Sequence, residues 1–544
     1  MAGQQRSKER RRRRAALKQE VRAMETAEII RLAEDDAYLR AKLFCRGFLV
    51  TNRPVRTEAY PFYGAWSVHS LGPYQILSHP LCGCFLARGE EVQLCLLGHA
   101  YDPISGETNE ERILDRLSGL APRSPAFFDY INDLTGVFLL LVYSPEELLF
   151  LCDAVGLMSV FYTESPERFY LASHINLIGD LAGFREDPIV SRLKRGRTFH
   201  YFGNQLPGNL TKFREAKRLN PNHLGRVGGT VEQIRFYYPH SLALERTELL
   251  PRLRELLERT MAVIAEKWER PAISLTGGCD SKTTLSAAHK LYERYLIYSY
   301  DSQPNEAPDA KAAQAICSGI GLPHLLYRIP YSDDSFPNIE GIRKIMIWND
   351  GDVVDNHPND VRKRAFLDRQ NDYDVEVKSW ASEVGRARYS KRYCGKRSFG
   401  KKPTARKCAS FYKFLLRRGD VKIVRQEFRR FLEAYYQPAA EGAIPWQDQF
   451  YWEWHWPSRD GVILTCEHMF SDCITVPYNN RRVLELLLSA PWEDRYRDAL
   501  YTAVRKELDP RIDAAAGAVV DVNHTRLRSW LELLYYLVSS YLPY

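Results

Sequence analysis

The stretch "PAISLTGGCDSKTTLSAA", residues 271–288, decides the fold that we expect for the second half of the chain. Its apolar run stops at Thr276, a glycine pair follows, and a helical pattern starts at Asp280. A short apolar run bounded by glycines is typical of a buried strand. The stretch therefore predicts a strand that passes into a helix through a glycine turn.

Around this stretch, the sequence alternates between helical and strand patterns. A long helix, "LLPRLRELLERTMAVIAEKW" (249–268), precedes it, and "RYLIYSY" (294–300), "APDAKAAQAICSGIG" (307–321) and "HLLYRIP" (324–330) follow as strand, helix and strand. Such alternation predicts a parallel sheet with crossover helices. Ligands of these sheets bind at the carboxyl ends of the strands, and Leu275 is the first such end.

The residues of the turn suit an anion. Glycines at Gly277 and Gly278 permit positive φ and let successive backbone N–H groups point into one cavity, while the following helix adds its unpaired N–H groups and dipole. Thr276 and Ser281 supply hydroxyl donors. Asp280 beside an anion site requires a bridging cation, for which Mg²⁺ is the natural choice. An ordinary turn in which Asp280 caps the helix is the alternative.

The first part of the chain has a different pattern. Short apolar segments between turn residues, such as "VQLCLLGHAY" (92–101) and "GVFLLLVYS" (136–144), predict a layered sheet domain over residues 46–180. The region 208–239 carries turn residues and ends at Pro239. We predict a basic arm and helical segment at 1–45, a sheet domain at 46–240, a parallel-sheet domain at 241–510 and an aromatic segment at 511–544.

Composition limits the class of protein. The 544 residues contain no apolar run of about 18 residues, so a membrane span is not expected. The first residues lack the apolar region of a secretory signal, and eleven scattered cysteines fit reduced thiols, so the cytoplasm is the expected compartment. The net charge of +8 is concentrated in Arg10–Arg14 and 391–407. Solvated arms or loops are the usual form of such blocks, so nucleic acid is an unlikely partner. A homo-oligomer is left open.

"ISLTGGCDSKTTL" (273–285) resembles the S-G-G-x-D-S loop of the N-type ATP pyrophosphatases (PP-loop enzymes), with Thr276 in place of the first serine. Similarities at 309–324, 380–389 and 476–491, and in the sheet domain, point to the asparagine synthetase family. The resemblance implies an α/β fold. It also implies that an amino-terminal layered αββα-like (Ntn-type) domain precedes a parallel-sheet, adenine nucleotide α-hydrolase-like domain with a helical C-terminal part.

The sheet domain departs from the family pattern at its nucleophile. A family glutaminase begins with a cysteine whose free α-amine acts as base, whereas Cys45 lies behind 44 residues. The family's Asn-Gly-Glu is also replaced by Leu97-Gly98-His99. The resemblance therefore implies a degenerate class II glutamine amidotransferase-like domain without glutaminase activity, as in β-lactam synthetases and lasso-peptide macrolactam synthetases.

A second departure lies at the metal site that the resemblance implies. Ser382 stands where the family has a metal-binding aspartate, and Glu383 matches the following glutamate. Glu383 is accordingly predicted to bind Mg²⁺ or the amine substrate, with a surface or salt-bridged glutamate as the alternative. The family's pyrophosphate-clamping lysine has no clear counterpart, since only Lys506 follows position 480. Arg386, Arg388 or the 391–407 block are substitutes.

The resemblance implies an ATP-dependent, AMP-forming ligase that joins a small-molecule or peptide carboxylate to an amine or ammonia. Asp280 and Glu383 are the predicted catalytic and metal-binding residues. The predicted ATP-binding residues are Leu275, Thr276, Gly277, Gly278, Asp280, Ser281, Ser299 and Tyr300. Two alternatives are a PP-loop enzyme that modifies tRNA and a non-catalytic nucleotide-binding or scaffold protein.

Overall fold

The computed structural model describes residues 26–89, 91–196, 199, 205–304, 306–351, 358–391, 402–412, 418–516, 530, 531, 534 and 538. Arg10–Arg14 and residues 392–401 of the basic block lie outside the described residues, as does most of 511–544. Two antiparallel sheets and one parallel sheet confirm the mixed α/β expectation, and a helical region follows in the C-terminal part.

Twelve strands form the two antiparallel sheets. They are β1 (Phe48–Thr51), β2 (Ser67–Leu71), β3 (Tyr74–Ser78), β4 (Cys84–Arg88), β5 (Gln93–Tyr101), β6 (Thr135–Tyr143), β7 (Leu148–Cys152), β8 (Phe161–Thr163), β9 (Tyr170–Ala172), β10 (Ala216–Arg218), β11 (His223–Val227) and β12 (Val231–Arg235). The first sheet has the order β10-β8-β9-β1-β3-β2, and the second has the order β12-β11-β7-β6-β5-β4.

The two antiparallel sheets pack against each other through alternate side chains. Along β6, Val137 and Leu139 enter the core that both sheets share, whereas Phe138 and Leu140 enter a separate core. Helices Glu110–Ser118 and Pro125–Asp133 cover that separate core. Side chains of a strand point alternately to its two faces, so a strand that is apolar on both faces must be covered on both. The amino-terminal half is therefore layered: the two sheets pack face to face, and helices cover them on the outside.

The parallel sheet has five strands in the order β15-β14-β13-β16-β17. These are β13 (Pro271–Ser274), β14 (Leu296–Asp301), β15 (Leu325–Arg328), β16 (Val375–Val377) and β17 (Ile474–Thr475). All four pairings are parallel, as the alternation of strands and helices predicts. The strand that leads into the glycine turn, β13, is the central one.

Helices make up most of the remaining described structure. In the first half they are 26–35, Ala37–Lys42, Glu110–Ser118, Pro125–Asp133, Ile175–Ala182 and Pro188–Lys194. In the second half they are Arg246–Lys267, Cys279–Ala287, Ala307–Ile320, Ile339–Asp350, Pro358–Leu367, Ala405–Tyr412, Arg418–Tyr435, Trp446–Phe450, the π-helix Tyr451–Asp460, Gly461–Cys466, Arg481–Ser489, Trp492–Tyr496, Ala499–Leu508 and Pro510–Ala516. Within the described residues, none of these helices is long and apolar enough to cross a membrane.

The aromatic run 446–457 lies mostly in the core. Trp452 and Trp454 are fully buried, and Phe450 stacks on Trp454 with 4.8 Å between the ring centroids. The Trp452 indole N–H donates to the Ala154 carbonyl oxygen at 2.7 Å, which ties the helical half to the antiparallel sheets. These side chains join the two halves of the chain through packing.

Candidate functional site

The glycine turn occupies the carboxyl end of the central parallel strand. Leu275 is fully buried, and its backbone N–H donates to the Tyr298 carbonyl oxygen at 2.8 Å, which extends the sheet by one residue. Helix Cys279–Ala287 begins four residues after Leu275 and carries no side-chain cap at Gly278. The positive end of a helix dipole therefore lies at the edge of the sheet where α/β proteins bind ligands.

Side chains of the turn itself organise its backbone. The Thr276 N–H donates to Ser281 Oγ at 3.2 Å, and the two hydroxyl oxygens lie 2.9 Å apart. The Gly278 N–H donates to Thr276 Oγ1 at 3.1 Å, and the Gly277 N–H donates to the Asp309 carboxylate at 3.2 Å. A carboxylate thus accepts a hydrogen bond from the turn, which shows that an oxyanion can reach one of its amides.

The expectation of positive φ is wrong for Gly278, whose φ is −67° and ψ is 158°. These angles are extended backbone that any residue adopts. The glycine provides space, because a Cβ atom at Gly278 would lie 3.1 Å from Thr276 Oγ1. The closeness of Thr276 Oγ1 is thus the physical reason for a residue without a side chain at position 278.

Asp280 lies in the first turn of helix Cys279–Ala287 and does not cap it. Its carboxylate accepts a hydrogen bond from Ser382 Oγ at 2.6 Å and forms an ion pair with Arg386. Arg386 also pairs with Asp498, at 2.8 Å from Nε to Oδ1, and Lys391 pairs with Asp498 as well. The structure therefore brings the turn together with the downstream segment 382–391, and a guanidinium bridges two carboxylates there.

Glu383 lies near the same network and has a different environment. It is half-buried, and its Oε2 atom is buried without a hydrogen-bond partner among the described residues. Burial, and then the negative charge of Asp280, raise the pKa of Glu383 to about 7. A carboxylate oxygen that accepts no hydrogen bond and lies near a second carboxylate is suited to coordinate a cation. The described residues contain no cluster of three or more potential metal ligands, so phosphate oxygens would have to complete the shell of a magnesium ion.

Ser299 and Tyr300 lie near the end of β14, the strand that pairs with β13. Ser299 is buried and its hydroxyl lies 2.9 Å from His324 Nε2. The Lys363 ammonium lies 4.2 Å from the centroid of the Tyr300 ring. One face of Tyr300 is therefore covered by a cation, and stacking of an adenine on that face requires Lys363 to move. The adenine position stays a prediction.

The candidate clamping residues differ in where they lie. Lys506 is exposed, whereas its neighbour Arg505 is buried and donates to Thr283 Oγ1 at 3.0 Å on the helix that follows the turn. Adjacent residues of a helix point about 100° apart, so only one of the two faces the turn. Sequence inspection considered the lysine and missed the arginine, and it also missed Asp309 and Asp498. The sequence around these two aspartates does not indicate a role at the turn. Asp309 lies in the first turn of a helix, where an acidic residue is common.

No protein-family model matches this chain, and no curated protein matches it. Among solved structures, the chain is similar to glutamine-dependent NAD⁺ synthetase from Acinetobacter baumannii in complex with ADP. The two are 15% identical, the match covers 29% of this chain and 28% of that chain, and the TM-score is 0.18. An allosteric regulatory enzyme of purine biosynthesis has 10% identity over 54% of this chain and 77% of that one, with a TM-score of 0.22. Glutamine phosphoribosylpyrophosphate amidotransferase from B. subtilis, complexed with ADP and GMP, has 11% identity over 65% of this chain and 73% of that one, with a TM-score of 0.21.

These likenesses are too low to carry an argument about function. The chain spans only 28% of the length of the NAD⁺ synthetase. Function is therefore inferred from the turn, from the network around Asp280 and from the position of both at the carboxyl edge of the parallel sheet.

Proposed function

We propose that the chain is an ATP-dependent amide-forming ligase that forms AMP and pyrophosphate. The observation that carries the proposal is the turn from Thr276 to Ser281 at the carboxyl end of β13, opposed by Arg386. Backbone amides, two hydroxyls and a guanidinium converge there, and this combination suits polyphosphate. The resemblance to the S-G-G-x-D-S loop assigns the same role to the same residues.

In the proposed reaction, a carboxylate oxygen of the substrate attacks the α-phosphorus of ATP. The bond from that phosphorus to the oxygen bridging to the β-phosphate breaks, and pyrophosphate leaves from the turn. An amine or ammonia then attacks the acyl carbon of the adenylate, AMP leaves, and the nitrogen loses a proton. The chain contributes orientation of the two reactants and donors for the negative charge on the departing phosphates.

Two carboxylates are proposed to hold Mg²⁺ when ATP is bound. Asp280 and Glu383 are the residues, and the partnerless Oε2 atom of Glu383 supports this choice. The cation would neutralise phosphate charge. Asp280 already has a cationic partner in Arg386, so the proposal requires the guanidinium to turn from Asp280 toward phosphate. Arg386 is thereby our candidate for the clamping cation that the sequence otherwise lacks.

The amine is proposed to come from solution or from the substrate. Cys45 is buried within the chain, and its backbone N–H donates to the Lys42 carbonyl oxygen at 3.3 Å. A peptide nitrogen cannot act as the free-amine base that a family glutaminase uses. We therefore propose that the amino-terminal half has no glutaminase activity.

A second candidate is a nucleotide-binding protein without turnover. The ion pair between Arg386 and Asp280 favours it, because a guanidinium stands where the ligase needs a metal anchor. This protein would bind ATP tightly and form no AMP. Its ATP binding would also be indifferent to Mg²⁺, since an arginine supplies the positive charge.

Pyrophosphate exchange into ATP tests the ligase proposal. Wild-type protein is incubated with labelled pyrophosphate, ATP, Mg²⁺ and panels of amino acids, peptides and sugar acids, since all three classes of carboxylate remain open. Exchange that depends on one class supports the ligase, and Asp280→Asn should reduce it by about 100-fold, the size expected for a group at a phosphoryl-transfer site. Asp494→Asn is the matched control, since Asp494 pairs with Arg246 away from the turn. Full exchange by the Asp280→Asn protein would refute the proposal.

A further inference from the structure

A cleft of about 470 Å³ lies between two helices, Arg246–Lys267 and Arg481–Ser489, which pack against each other. Leu256 of the first helix and Leu486 of the second line it and are buried, and we call this pair the apolar floor. Ile104 also lines the cleft and is 44% exposed, so the cleft opens to solvent. Its volume is within the range of pockets that hold small organic ligands.

The first helix gives the cleft a cationic wall, which consists of Arg252 and Arg259. The two arginines are seven residues apart, which is about two helical turns, so their side chains lie on the same side of the helix. Glu255 pairs with Arg259 at 2.7 Å from Oε1 to Nη2, but both side chains are exposed and such a pair contributes little. Arg252 is exposed and forms no ion pair with any described residue. This wall therefore carries one unbalanced positive charge.

The opposite side of the cleft is an acidic wall, which consists of Asp133 and Glu485. Arg482 lies between these carboxylates, with its Nε atom 2.8 Å from Asp133 Oδ1 and its Nη1 atom 3.6 Å from Glu485 Oε2. Arg482 also pairs with Asp129, so one guanidinium faces three carboxylates. Burial raises the pKa of Asp133 in spite of Arg482, and a second cation would favour its charged form. This wall therefore has room for a positive charge.

The cleft and the network around Asp280 lie on opposite faces of helix Arg481–Ser489. Leu487 faces the segment 382–386, because a Cβ atom at Gly385 would lie 2.6 Å from Leu487 Cβ. Glu485 precedes Leu487 by two residues, and side chains at this spacing point to nearly opposite sides of a helix. None of the residues that line the cleft belongs to the glycine turn. The cleft is therefore separate from the proposed ATP site.

We propose that this cleft binds a short zwitterionic peptide with apolar side chains. Its carboxylate lies at the cationic wall, its amino group at the acidic wall and its side chains on the apolar floor. The axes of packed helices are about 8–10 Å apart, whereas both charges of a single amino acid sit on one carbon atom. Two extended residues span about 7 Å, so a dipeptide is the shortest peptide that reaches both walls. This inference goes beyond the proposed ligase function and does not depend on it.

Calorimetric titration of the full chain with four dipeptide probes at pH 7 tests the proposal. Leucyl-leucine carries both terminal charges and two apolar side chains. Leucyl-leucinamide lacks the carboxylate, N-acetyl-leucyl-leucine lacks the ammonium, and glycyl-glycine lacks the side chains. We expect each of these three to bind at least tenfold more weakly than leucyl-leucine. A smaller preference over any one of them, or no binding of leucyl-leucine, would overturn the proposal.

Variants of the two walls locate the site. Arg252→Gln should weaken binding of leucyl-leucine at least fivefold and leave that of leucyl-leucinamide unchanged, because only the contact with the carboxylate is lost. Asp133→Asn should weaken binding of leucyl-leucine and leave that of N-acetyl-leucyl-leucine unchanged, and Arg53→Gln, at an exposed arginine outside the cleft, is the control. Arg252→Gln removes no ion pair between described residues, so its result does not depend on whether Asp133→Asn folds. Wild-type affinity of Arg252→Gln for leucyl-leucine, with an unaltered circular dichroism spectrum, would overturn the assignment. A failed ligase proposal would leave these outcomes untouched.

Discussion

Cys45 and the glycine turn each adjoin a strand, and each lies where a reactive group of the resembled family is expected. Cys45 is buried, and burial raises the pKa of its thiol, so it stays protonated within the core. Gly278, in contrast, is exposed at the edge of the parallel sheet beside donors and charged side chains. Packing at Cys45 removes the environment that a nucleophile needs. The turn has an arrangement suited to phosphate, so the comparison teaches that burial closes one of the two positions to a ligand and leaves the other accessible.

The largest effect that we predict is on stability, through Glu383. The unfolded chain loses this proton near pH 4.5, whereas the folded chain keeps it until about pH 7. The folded state thus binds more protons between these values, and stability must fall as pH rises through the window. Glu383→Gln stays neutral in both states and removes this slope, which amounts to at most roughly 3 kcal/mol.

Urea unfolding of both proteins at pH 5, 6 and 8 measures this difference. Other titrating groups cancel in the comparison, and exposed Glu58→Gln serves as the control. If the free energies of unfolding of wild type and Glu383→Gln differ by the same amount at pH 5, 6 and 8, Glu383 has an ordinary carboxyl pKa. A saturating divalent cation with ATP should restore wild-type stability at pH 8, if the two carboxylates bind the metal.

Arg386→Met tests whether the guanidinium serves the turn. Hydrogen bonds to charged groups contribute about 1.5 to 3 kcal/mol, so its loss should weaken ATP binding by roughly tenfold to a hundredfold. Titration of ATP in the presence of Mg²⁺ measures this, and Arg497→Met, at an exposed neighbouring arginine, is the control. Tighter ATP binding by Arg386→Met would mean that Arg386 blocks the turn rather than completing it.

Gly278→Ala has a smaller expected effect, because the backbone conformation there suits any residue. The added Cβ would lie 3.1 Å from Thr276 Oγ1, so the hydroxyl must shift by a few tenths of an ångström. We expect ATP affinity to fall by about threefold to tenfold, corresponding to about 1 kcal/mol, with little loss of stability. Gly229→Ala, where nothing lies within 4 Å of the added atom, is the control. An unchanged affinity would place the phosphates away from Gly278.

The sequence predicted the repeated elements better than the isolated ones. Alternation of strands and helices from 271 to 330 predicted three parallel strands, and β13, β14 and β15 confirm them. The other two, β16 and β17, have three and two residues and lie about a hundred residues apart. Periodicity cannot identify strands this short, and only tertiary pairing defines them.

The contacts of the candidate site also divide into local ones, which the sequence predicts, and long-range ones, which it does not. Thr276 and Ser281 are close in sequence, so their contact follows from local geometry. The partners of Asp280 lie more than a hundred residues away, and the resemblance alone directed attention to Ser382 and Arg386. Asp498 completes the network from a further hundred residues on, and no pattern around it indicates this role. Long-range charge pairing is thus the part that a single sequence leaves open.

The smallest predicted effect returns to the buried cysteine. Cys45→Ala should leave AMP formation with ammonia or an amine unchanged, and neither protein should release ammonia from glutamine. The thiol is enclosed and protonated, so removing it costs only packing, about 1 kcal/mol for one lost buried group. A glutaminase assay and a thermal melt measure both parts. Glutamine hydrolysis by wild type that Cys45→Ala abolishes would contradict the proposal that this half has no glutaminase activity, because a nucleophile would then operate without a free α-amine.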